Sequence, residues 1–325
     1  IGGHTHTHEI SIGNESHAID TGFIVFNQKT YPNFLQLLAE IGVDYQHSDM
    51  SFSVSCEKTG LEYNGTSLNT LFAQRRNFFR PSFYRMVKDI LRFNEQSAEL
   101  LEPQNKDSQL GDYLADKHYS EQFIEQYIIP MGSAIWSMSK AQMMAFPAQF
   151  FVRFFTNHGM LSVDDRPQWY VIQGGSKSYL DALTKPYLDK IRLNQAVKSI
   201  KRSADQVIVQ TAAGEDSFDY VFNACHSNQA FQQLETPNLF EQETIGRMFY
   251  QHNDVVLHTD SSLMPKRKLA WAAWNYHLLA EQSNQATLTY NMNILQSLKS
   301  QHTFCVTVNN LSLIHISEPT RQYCQ

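Results

Sequence analysis

The chain has 325 residues, of which 42% are hydrophobic and 18% are charged, and its formal net charge is −6. This length predicts about two domains with sizeable cores, and the composition excludes a disordered or fibrous protein. The negative charge gives no reason to expect nucleic-acid binding. No apolar run reaches the length of a membrane-spanning helix, although peripheral membrane contact stays open.

The first half of the chain predicts two extended segments followed by helices. Residues 2–12 begin with a glycine pair and alternate like a strand, and residues 19–26 are also strand-like. Residues 31–41 predict a short amphipathic helix, with Pro32 in its first turn and Gly42 as its stop. A hairpin and a helical block are predicted next, over residues 51–56 with 61–64, 82–101 and 110–159.

The second half of the chain is richer in strands. Residues 169–173 predict a strand, after which Gly174-Gly175-Ser176 opens a helix that runs to about residue 189. The apolar run at 218–224 is typical of a strand buried within a parallel sheet. The remaining predicted elements are a helix at 226–234 and strands at 191–193, 197–201, 207–211, 254–258, 269–278, 287–292 and 303–309.

Residues 311–321 read LSLIHISEPTR. This peptide is similar, letter for letter, to the translation of a transposase adapter used in sequencing libraries. The alternative is a natural strand at 311–316 that ends in a turn. We therefore expect residues 311–325 to be a non-native, adapter-like tail, and the fold prediction excludes them.

The cysteines indicate the cellular compartment, and the first histidines raise the question of a metal site. The four cysteines are too scattered to form a redox dithiol or a zinc ribbon, which favours a reducing cytoplasm. His4, His6 and His8 would share one face of a strand, an arrangement that suits a zinc hydrolase. Only Glu9 accompanies them as a further ligand type, so we predict no metal site.

Several motifs together point to a known family. The general ones are Gly2-Gly3-His4-Thr5-His6-Thr7, Asp20-Thr21-Gly22-Phe23 and the helix that begins at Pro32. More specific ones are Ile135-Trp136-Ser137, Phe146-Pro147, Asn157-His158-Gly159, Arg166-Pro167-Gln168-Trp169, Gly174-Gly175-Ser176, Trp274-Asn275-Tyr276 and Tyr290-Asn291-Met292-Asn293. With these motifs the chain resembles the flavin-containing amine oxidase superfamily, and within it the bacterial FAD-dependent oxidoreductases associated with cyclopropane fatty acid synthases.

The resemblance covers roughly residues 1–309 and implies an α/β fold. It implies that a truncated FAD-binding, Rossmann-like domain (residues 1–45 and 190–235) is interleaved with an α+β substrate domain (residues 46–189 and 236–310). The dinucleotide fingerprint Gly-x-Gly-x-x-Gly does not occur in the 325 residues. Because that fingerprint supplies N–H donors to the pyrophosphate, the 325 residues alone are expected to purify without FAD and to be inactive.

The resemblance also implies FAD as the cofactor and a set of residues that bind it. Bare backbone at Gly2-Gly3 and at Gly22 allows close approach of a ligand, although a tight turn and a bulge are the alternatives. Ala224 follows an apolar run and matches the position of ligands at the carboxyl ends of strands. The complete set is Gly2, Gly3, His4, Thr5, Thr21, Gly22, Phe23, Val197 (through its backbone) and Ala224.

The substrate side of the site is expected to be aromatic. Trp274 and Tyr276 share a face by strand alternation, and Tyr290 is expected to join them from a neighbouring strand. These rings predict a wall that contacts a substrate, with an aromatic core as the alternative. No motif assigns a catalytic residue, although Lys266 and Lys268 are available near this region.

These inferences predict an FAD-dependent oxidoreductase that transfers hydride from a substrate C–H bond to the flavin. The resemblance makes a modified or unsaturated fatty acyl chain the expected substrate. A free amine is the alternative within the same enzyme class. A non-catalytic binding module without its cofactor is the alternative from a different class.

Overall fold

The computed structural model describes residues 1–162, 166–250, 252–280, 286–310 and 320–321. Helices and strands are mixed along these residues, which confirms the predicted α/β class. Most of the predicted tail, residues 311–319 and 322–325, lies outside the described ranges. None of the described helices is long and apolar enough to cross a membrane.

The helices are short, and several are extended by single turns of 3₁₀ helix. The α-helices are α1 (Pro32–Ile41), α2 (Leu68–Leu71), α3 (Pro81–Gln96), α4 (Leu110–Asp116), α5 (Glu121–Phe123), α6 (Ile129–Trp136), α7 (Lys140–Met144), α8 (Ala148–Asn157), α9 (Lys177–Thr184), α10 (Ser227–Gln233), α11 (Leu239–Glu243) and α12 (Met292–Leu295). A π-helical turn (Ile124–Ile128) joins α5 to α6, and the 3₁₀ turns are Arg75–Phe79, Ser97–Leu101, Pro103–Asn105, Lys185–Lys190, Ile245–Arg247, Ser261–Leu263 and Lys268–Ala270.

The strands in the described part of the chain form four sheets. They are β1 (Thr7–Ile12), β2 (Glu15–Asp20), β3 (Val25–Asn27), β4 (Tyr45–Ser48), β5 (Phe52–Cys56), β6 (Leu61–Asn64), β7 (Trp169–Ile172), β8 (Ser199–Arg202), β9 (Val207–Thr211), β10 (Gly214–Phe218), β11 (Val255–His258), β12 (Trp274–Leu278), β13 (Leu288–Asn291), β14 (Cys305–Val308) and β15 (Thr320–Arg321). The sheet orders are β1-β2, β10-β9-β8, β3-β7-β4 and β15-β11-β14-β13-β12-β5-β6.

The larger of two compact units comprises Thr5–Tyr179 and Asn253–Gln325. It contains the seven-stranded sheet, in which β12 pairs with β5 in parallel and the other neighbours are antiparallel. The hairpin β1-β2 and the sheet β3-β7-β4 belong to the same unit. Its largest core joins the helices α3 to α8 to one face of the seven-stranded sheet.

The smaller unit comprises Ile1–His4 and Leu180–His252. It contains the antiparallel sheet β10-β9-β8 and the helices α10 and α11. Exposed ion pairs link Arg192 to Asp216 at 2.5 Å and Arg202 to Glu241 at 2.5 Å. Both units are built from separate stretches of the chain. The predicted domains are defined by cofactor and substrate binding, so that division stays a prediction.

Elements with strong local signals form as predicted. Helix α1 begins at Pro32 and ends at Gly42, whose φ of +68° is the left-handed conformation that glycine adopts without strain. The amide of Val43 then donates to the carbonyl of Leu38 at 3.0 Å and closes the helix end. Strands β5 and β6 form the predicted antiparallel hairpin.

The predicted strand at 218–224 is wrong. Strand β10 ends at Phe218, and no described strand pairs with residues 219–224. Tyr220 and Phe222 are therefore 84% and 96% exposed rather than buried. An apolar run indicates a buried strand only where neighbouring strands and covering layers exist, and sequence pattern alone does not report those neighbours.

Three other extended segments differ from the prediction. The segment at 19–26 is not one strand, because it bends between Asp20 and Val25 and divides into β2 and β3. The segment at 191–193 is not a strand, and Leu193 is exposed. The segment at 269–278 begins as a 3₁₀ turn and becomes strand β12 only at Trp274.

Phe93 lies at the centre of the large core, and its substitution tests the packing there. The ring of Phe93 on α3 is fully buried and contacts the rings of Tyr113, Tyr119, Phe123 and Phe151. The substitution Phe93→Ala is therefore expected to lower the free energy of unfolding by about 3–5 kcal/mol in urea titrations. On the same helix Leu91 is 54% exposed, so Leu91→Ala is expected to cost less than about 0.5 kcal/mol. Equal losses would contradict this packing.

Candidate functional site

A buried carboxylate, Asp20, lies at the end of strand β2 and organises the residues around it. It accepts hydrogen bonds from the Thr7 hydroxyl at 2.5 Å, and from the amide and the hydroxyl of Ser176 at 3.0–3.1 Å. The side-chain amide of Gln296 donates to it at 3.1 Å, and the backbone amide of Asp20 donates back to Gln296 at 2.9 Å. Burial raises the pKa of Asp20, while the bonds from Thr7 and Ser176 oppose that shift.

The turn at Gly174-Gly175-Ser176 fits closely against this carboxylate. Gly175 has a φ of +89°, and a Cβ added there would lie 2.7 Å from the Thr7 methyl carbon and 3.2 Å from the Ala18 Cβ. A residue with a side chain would therefore be strained and would also press against the Thr7 side chain. The amide of Lys177 donates to the Thr7 hydroxyl at 2.9 Å, so the first turn of α9 is tied to the same strand.

The structure brings Thr5 and Thr21, which were predicted to bind the cofactor, to the same region of the larger unit. Thr5 is buried and its hydroxyl hydrogen bonds with the hydroxyl of Tyr179. The amide of Thr21 donates to the carbonyl of His6 at 2.9 Å, and the Thr21 hydroxyl lies 2.9 Å from the His6 ring nitrogen Nδ1. The two segments therefore lie side by side.

Gly22 and Phe23 follow in the bend between β2 and β3. Gly22 is exposed, and the half-buried ring of Phe23 contacts the rings of Tyr31 and Phe34. The Phe23 carbonyl accepts a hydrogen bond from the Ser176 hydroxyl at 2.8 Å. The serine that contacts Asp20 therefore also fixes this bend.

In the smaller unit, the structure brings His4 to the loop that carries Ala224. The His4 and His226 Nε2 atoms are 2.6 Å apart, which requires a proton between them. Gly2 and Gly3 before His4 have φ values of +105° and +57°, and nothing lies within 4 Å of a Cβ added at Gly3. This pair forms a turn rather than the start of the predicted strand, and it leaves its backbone open to a ligand.

His226 was not among the predicted site residues. Its ring stacks on Tyr250, with the ring centroids 4.4 Å apart, and the amide of Ser227 donates to the Tyr250 hydroxyl at 3.1 Å. Hydrogen bonds from Ser227 lower the pKa of Tyr250. The Cys225 thiol contacts Asn223 instead, so Cys225 and His226 point in different directions and do not form a nucleophile–base pair.

Val197 is half-buried and lies two residues before strand β8. The next residue, Lys198, donates its amide to the carbonyl of Gln210 on β9 at 2.7 Å. Val197 therefore lies just before the first residues that pair within the sheet of the smaller unit. Its predicted backbone contact with adenine stays a prediction.

The aromatic residues of the predicted substrate wall are adjacent in the larger unit. Trp274 on β12 lies directly opposite Tyr290 on β13, and their rings meet edge to face with centroids 5.0 Å apart. The indole Nε1–H of Trp274 is buried and has no hydrogen-bond partner among the described residues. Both rings contact two separate core clusters, and burial raises the pKa of Tyr290 well above its ordinary value.

Tyr276 extends the same face of β12 into the large core. It is buried, and burial raises the pKa of its hydroxyl, partly opposed by a contact with Ser133. Trp271 is not on the predicted strand. Its indole donates to the carbonyl of Pro265 at 2.8 Å, so its hydrogen bond is satisfied within the protein.

The first histidines do not assemble a metal site. His4 pairs with His226, whereas the ring of His6 contacts the ring of His8 with centroids 4.4 Å apart. Across the described part of the chain, no group of three or more His, Cys, Asp or Glu side chains is arranged to hold a metal ion. His158 caps α8 and hydrogen bonds with the Phe154 carbonyl at 2.8 Å, as a structural histidine does.

Each buried carboxylate in the described residues is already engaged. Asp20 is held as described above. Glu62 pairs with Arg267 at 2.8 Å. Asp89 pairs with Arg92 at 3.2 Å and accepts from the amide of Ser120 at 2.9 Å. Asp89 and Glu62 are thus each paired with an arginine, whereas the donors to Asp20 are all uncharged.

Comparison with known proteins identifies a family and several structures with the same fold. Residues 1–306 match the family described as flavin containing amine oxidoreductase. Cyclohexylamine oxidase from Brevibacterium oxydans IH-35A superposes with a TM-score of 0.63 at 14% identity, covering 95% of this chain and 67% of that one. The sequence matches none of the curated proteins with which it was compared.

Two further solved structures share the fold. Putrescine oxidase bound to putrescine has a TM-score of 0.62 at 14% identity, with 95% of this chain and 67% of that chain covered. A fatty acid isomerase from P. acnes that produces CLA has a TM-score of 0.62 at 12% identity, with 95% and 68% covered. At these identities the likeness shows the fold alone.

The Asp20 network predicts a pH-dependent effect of Asp20→Asn. The new amide would face the donors of Ser176 and Gln296, so the variant should lose about 1–3 kcal/mol of unfolding free energy. Because the pKa of Asp20 is raised in the native state, its contribution is fully present below the unfolded pKa and is lost as the pH rises through the native pKa. The gap between wild type and variant should therefore narrow from about pH 4 to about pH 7 in urea titrations.

The matched control for this experiment is Asp181→Asn, because Asp181 is an exposed carboxylate on α9. That variant should remain close to wild type at both pH values. A gap for Asp20→Asn that widens as the pH rises would show that the donors, rather than burial, dominate the pKa of Asp20.

Proposed function

Because the chain belongs to the family of flavin-containing amine oxidoreductases, we propose that it is an FAD-dependent oxidoreductase acting on a modified or unsaturated fatty acyl chain. Bound FAD supplies the acceptor for a hydride from a substrate C–H bond, so the protein's own residues need only bind and orient the reactants. Catalytic residues are not assigned.

The turn at Gly2 and Gly3 suits contact with an anionic cofactor. Gly3 offers open space where a side chain would stand, and its left-handed backbone follows a second glycine with positive φ. His4 and His226 supply imidazole nitrogens beside this turn. We assign Gly2, Gly3, His4 and Ala224 to the phosphate-bearing part of FAD, with Val197 toward its adenine.

The bend at Gly22 and Phe23 is a second position that suits contact with FAD. The exposed backbone at Gly22 and the half-buried ring of Phe23 are held in place by Ser176 and, through it, by Asp20. Thr5 and Thr21 place polar atoms on the neighbouring segments. We assign Thr5, Thr21, Gly22 and Phe23 to contacts with FAD, and Asp20 to positioning these residues.

The unpartnered indole N–H of Trp274 is the observation that carries the substrate assignment. A buried donor without an acceptor costs free energy, and the oxygen of an acyl carboxyl or ester group would satisfy it. Tyr276, Tyr290 and the surrounding apolar core exclude water from this donor and would give a hydrocarbon chain apolar neighbours. Of the buried carboxylates in the described residues, Asp89 and Glu62 are already paired with arginines and are not available to an ammonium group.

A free amine is the second candidate substrate. The edge-to-face pair of Trp274 and Tyr290 is the observation that favours it, because aromatic rings attract cations.

A non-catalytic binding module is the candidate from a different class, and it predicts that no flavin binds. The three described cysteines are free, which supports a reducing compartment such as the cytoplasm.

The substitution Trp274→Phe tests the acyl assignment. It removes the indole donor and keeps an aromatic ring in contact with Tyr290. We expect the Kd for the fluorescent fatty acid cis-parinaric acid to rise about tenfold, because the acid loses a hydrogen bond to a buried donor. Fluorescence titration of the protein measures this Kd without requiring turnover.

The matched control is Trp271→Phe, since the Trp271 indole already donates to Pro265. This variant should bind the fatty acid as wild type does. Equal weakening by both variants would contradict a specific role for Trp274. Failure of wild type to bind fatty acids, together with binding of cyclohexylamine or putrescine in equilibrium dialysis, would favour the amine.

A further inference from the structure

One segment of the larger unit has a charge opposite to that of the whole protein. Residues 68–92 contain six of the 26 Lys and Arg residues and one of the 32 Asp and Glu residues, although the chain as a whole carries −6. The segment spans α2, the 3₁₀ turn Arg75–Phe79 and most of α3. A local basic region in an acidic protein indicates an interaction with an anionic partner.

The same segment exposes large apolar side chains on an ordered framework. Leu68 and Phe79 are 78% and 88% exposed, and Phe78 and Tyr84 are also exposed. Phe78 stacks on the buried ring of Phe72 at 4.1 Å, and the Tyr84 hydroxyl donates to the Phe78 carbonyl at 3.2 Å. These side chains are therefore presented by packed residues, and their exposure needs an explanation other than an irregular loop.

Four positive charges of the segment meet no carboxylate within the described residues. Arg75 donates to the Asn69 side chain at 2.7 Å, and Arg76 donates to the Gly60 carbonyl at 2.5 Å, so neither meets a carboxylate. No described carboxylate forms an ion pair with Arg75, Arg76, Arg80 or Lys88. Burial and the charge of Arg76 lower the pKa of Arg80, as expected where like charges are crowded.

The one acidic residue of the segment is turned to other partners. Asp89 is buried and binds Arg92 and the amide of Ser120. Lys88 lies one helical turn after Tyr84 and shares its exposed face. The face that carries Tyr84 therefore keeps its positive charge.

A second basic and apolar stretch adjoins the first. Helix α2 packs against the 3₁₀ turn Lys268–Ala270, which is preceded by Lys266 and Arg267. Arg267 pairs with Glu62, whereas Lys266 and Lys268 are exposed and Leu269 is 38% exposed. Strand β12, with Trp274, begins four residues after this turn ends. Two distant parts of the sequence thus contribute to one region, next to the predicted substrate wall.

We propose that these residues form a docking surface for an anionic lipid bilayer. The basic–aromatic surface consists of Leu68, Phe78, Phe79, Tyr84 and Leu269 with Arg75, Arg76, Arg80, Lys88, Lys266 and Lys268. Its apolar side chains enter the boundary between headgroups and acyl chains, and its Lys and Arg side chains contact anionic headgroups. Nucleic acid is a poorer fit, because phosphates give the exposed leucines no apolar surface to bury against.

Vesicle co-sedimentation of the full chain tests this surface and does not depend on the proposed substrate. We expect wild type to bind vesicles of phosphatidylglycerol and phosphatidylcholine, to bind phosphatidylcholine alone more weakly, and to be released by salt. Phe79→Ser should weaken binding to the anionic vesicles about tenfold, because a largely exposed ring loses its apolar contact with lipid. The double variant Arg76→Gln/Lys88→Gln should weaken it by about as much.

The matched control is Lys29→Gln/Lys299→Gln, which removes the same charge from exposed positions on other elements of the same unit. This control should bind as wild type does. All variants should remain folded by circular dichroism, because the altered side chains are exposed and only Arg76→Gln removes a hydrogen bond, the one to the Gly60 carbonyl. Loss of binding in the control equal to that of Arg76→Gln/Lys88→Gln would overturn the proposal. So would absence of wild-type binding to anionic vesicles, or binding to single-stranded nucleic acid in place of vesicles.

Discussion

A single buried carboxylate imposes the constraint on which the larger unit's candidate site depends. Asp20 is removed from water and must be satisfied by donors from Thr7, Ser176 and Gln296. These donors come from the first strand, from the glycine turn before α9 and from the end of α12, so one side chain joins three remote pieces of chain. The cost of burying the carboxylate explains why these pieces cannot move apart independently. The bend at Gly22 follows directly from where Asp20 is held.

The rest of the site is built on rigid sheet positions and tight turns. Gly175 is required because its backbone has positive φ and Thr7 occupies the space of a side chain. Trp274 and Tyr290 are fixed by direct opposition across β12 and β13. A redox cofactor carries its own chemistry, so the protein has to provide position, apolar surroundings and a few polar contacts.

Local signals in the sequence were sufficient for much of the fold. Pro32 at the start and Gly42 at the C-cap predicted the limits of α1. Strand alternation predicted that Trp274 and Tyr276 share a face. Sequence reasoning missed His226, and it also missed Asp20, although the Asp-x-Gly motif contained Asp20. The role of Asp20 depends on Ser176 and Gln296, which lie 156 and 276 residues away, and no local pattern reports such contacts. The prediction of a strand at 218–224 failed for the same reason, because the burial of a strand depends on neighbours that are distant in sequence.

The central claim is that these residues bind FAD, and hydrogen exchange read by mass spectrometry tests it most directly. The full chain would be compared with and without FAD, added at a concentration that saturates even a site too weak to retain FAD during purification. Riboflavin is the second ligand, because it lacks the pyrophosphate and adenine. The account predicts slower exchange with FAD in residues 2–7, 21–23 and 224–226, no change in α3, and protection by riboflavin that is confined to residues 21–23. Protection that spares all three segments, or no protection at saturating FAD, would contradict it.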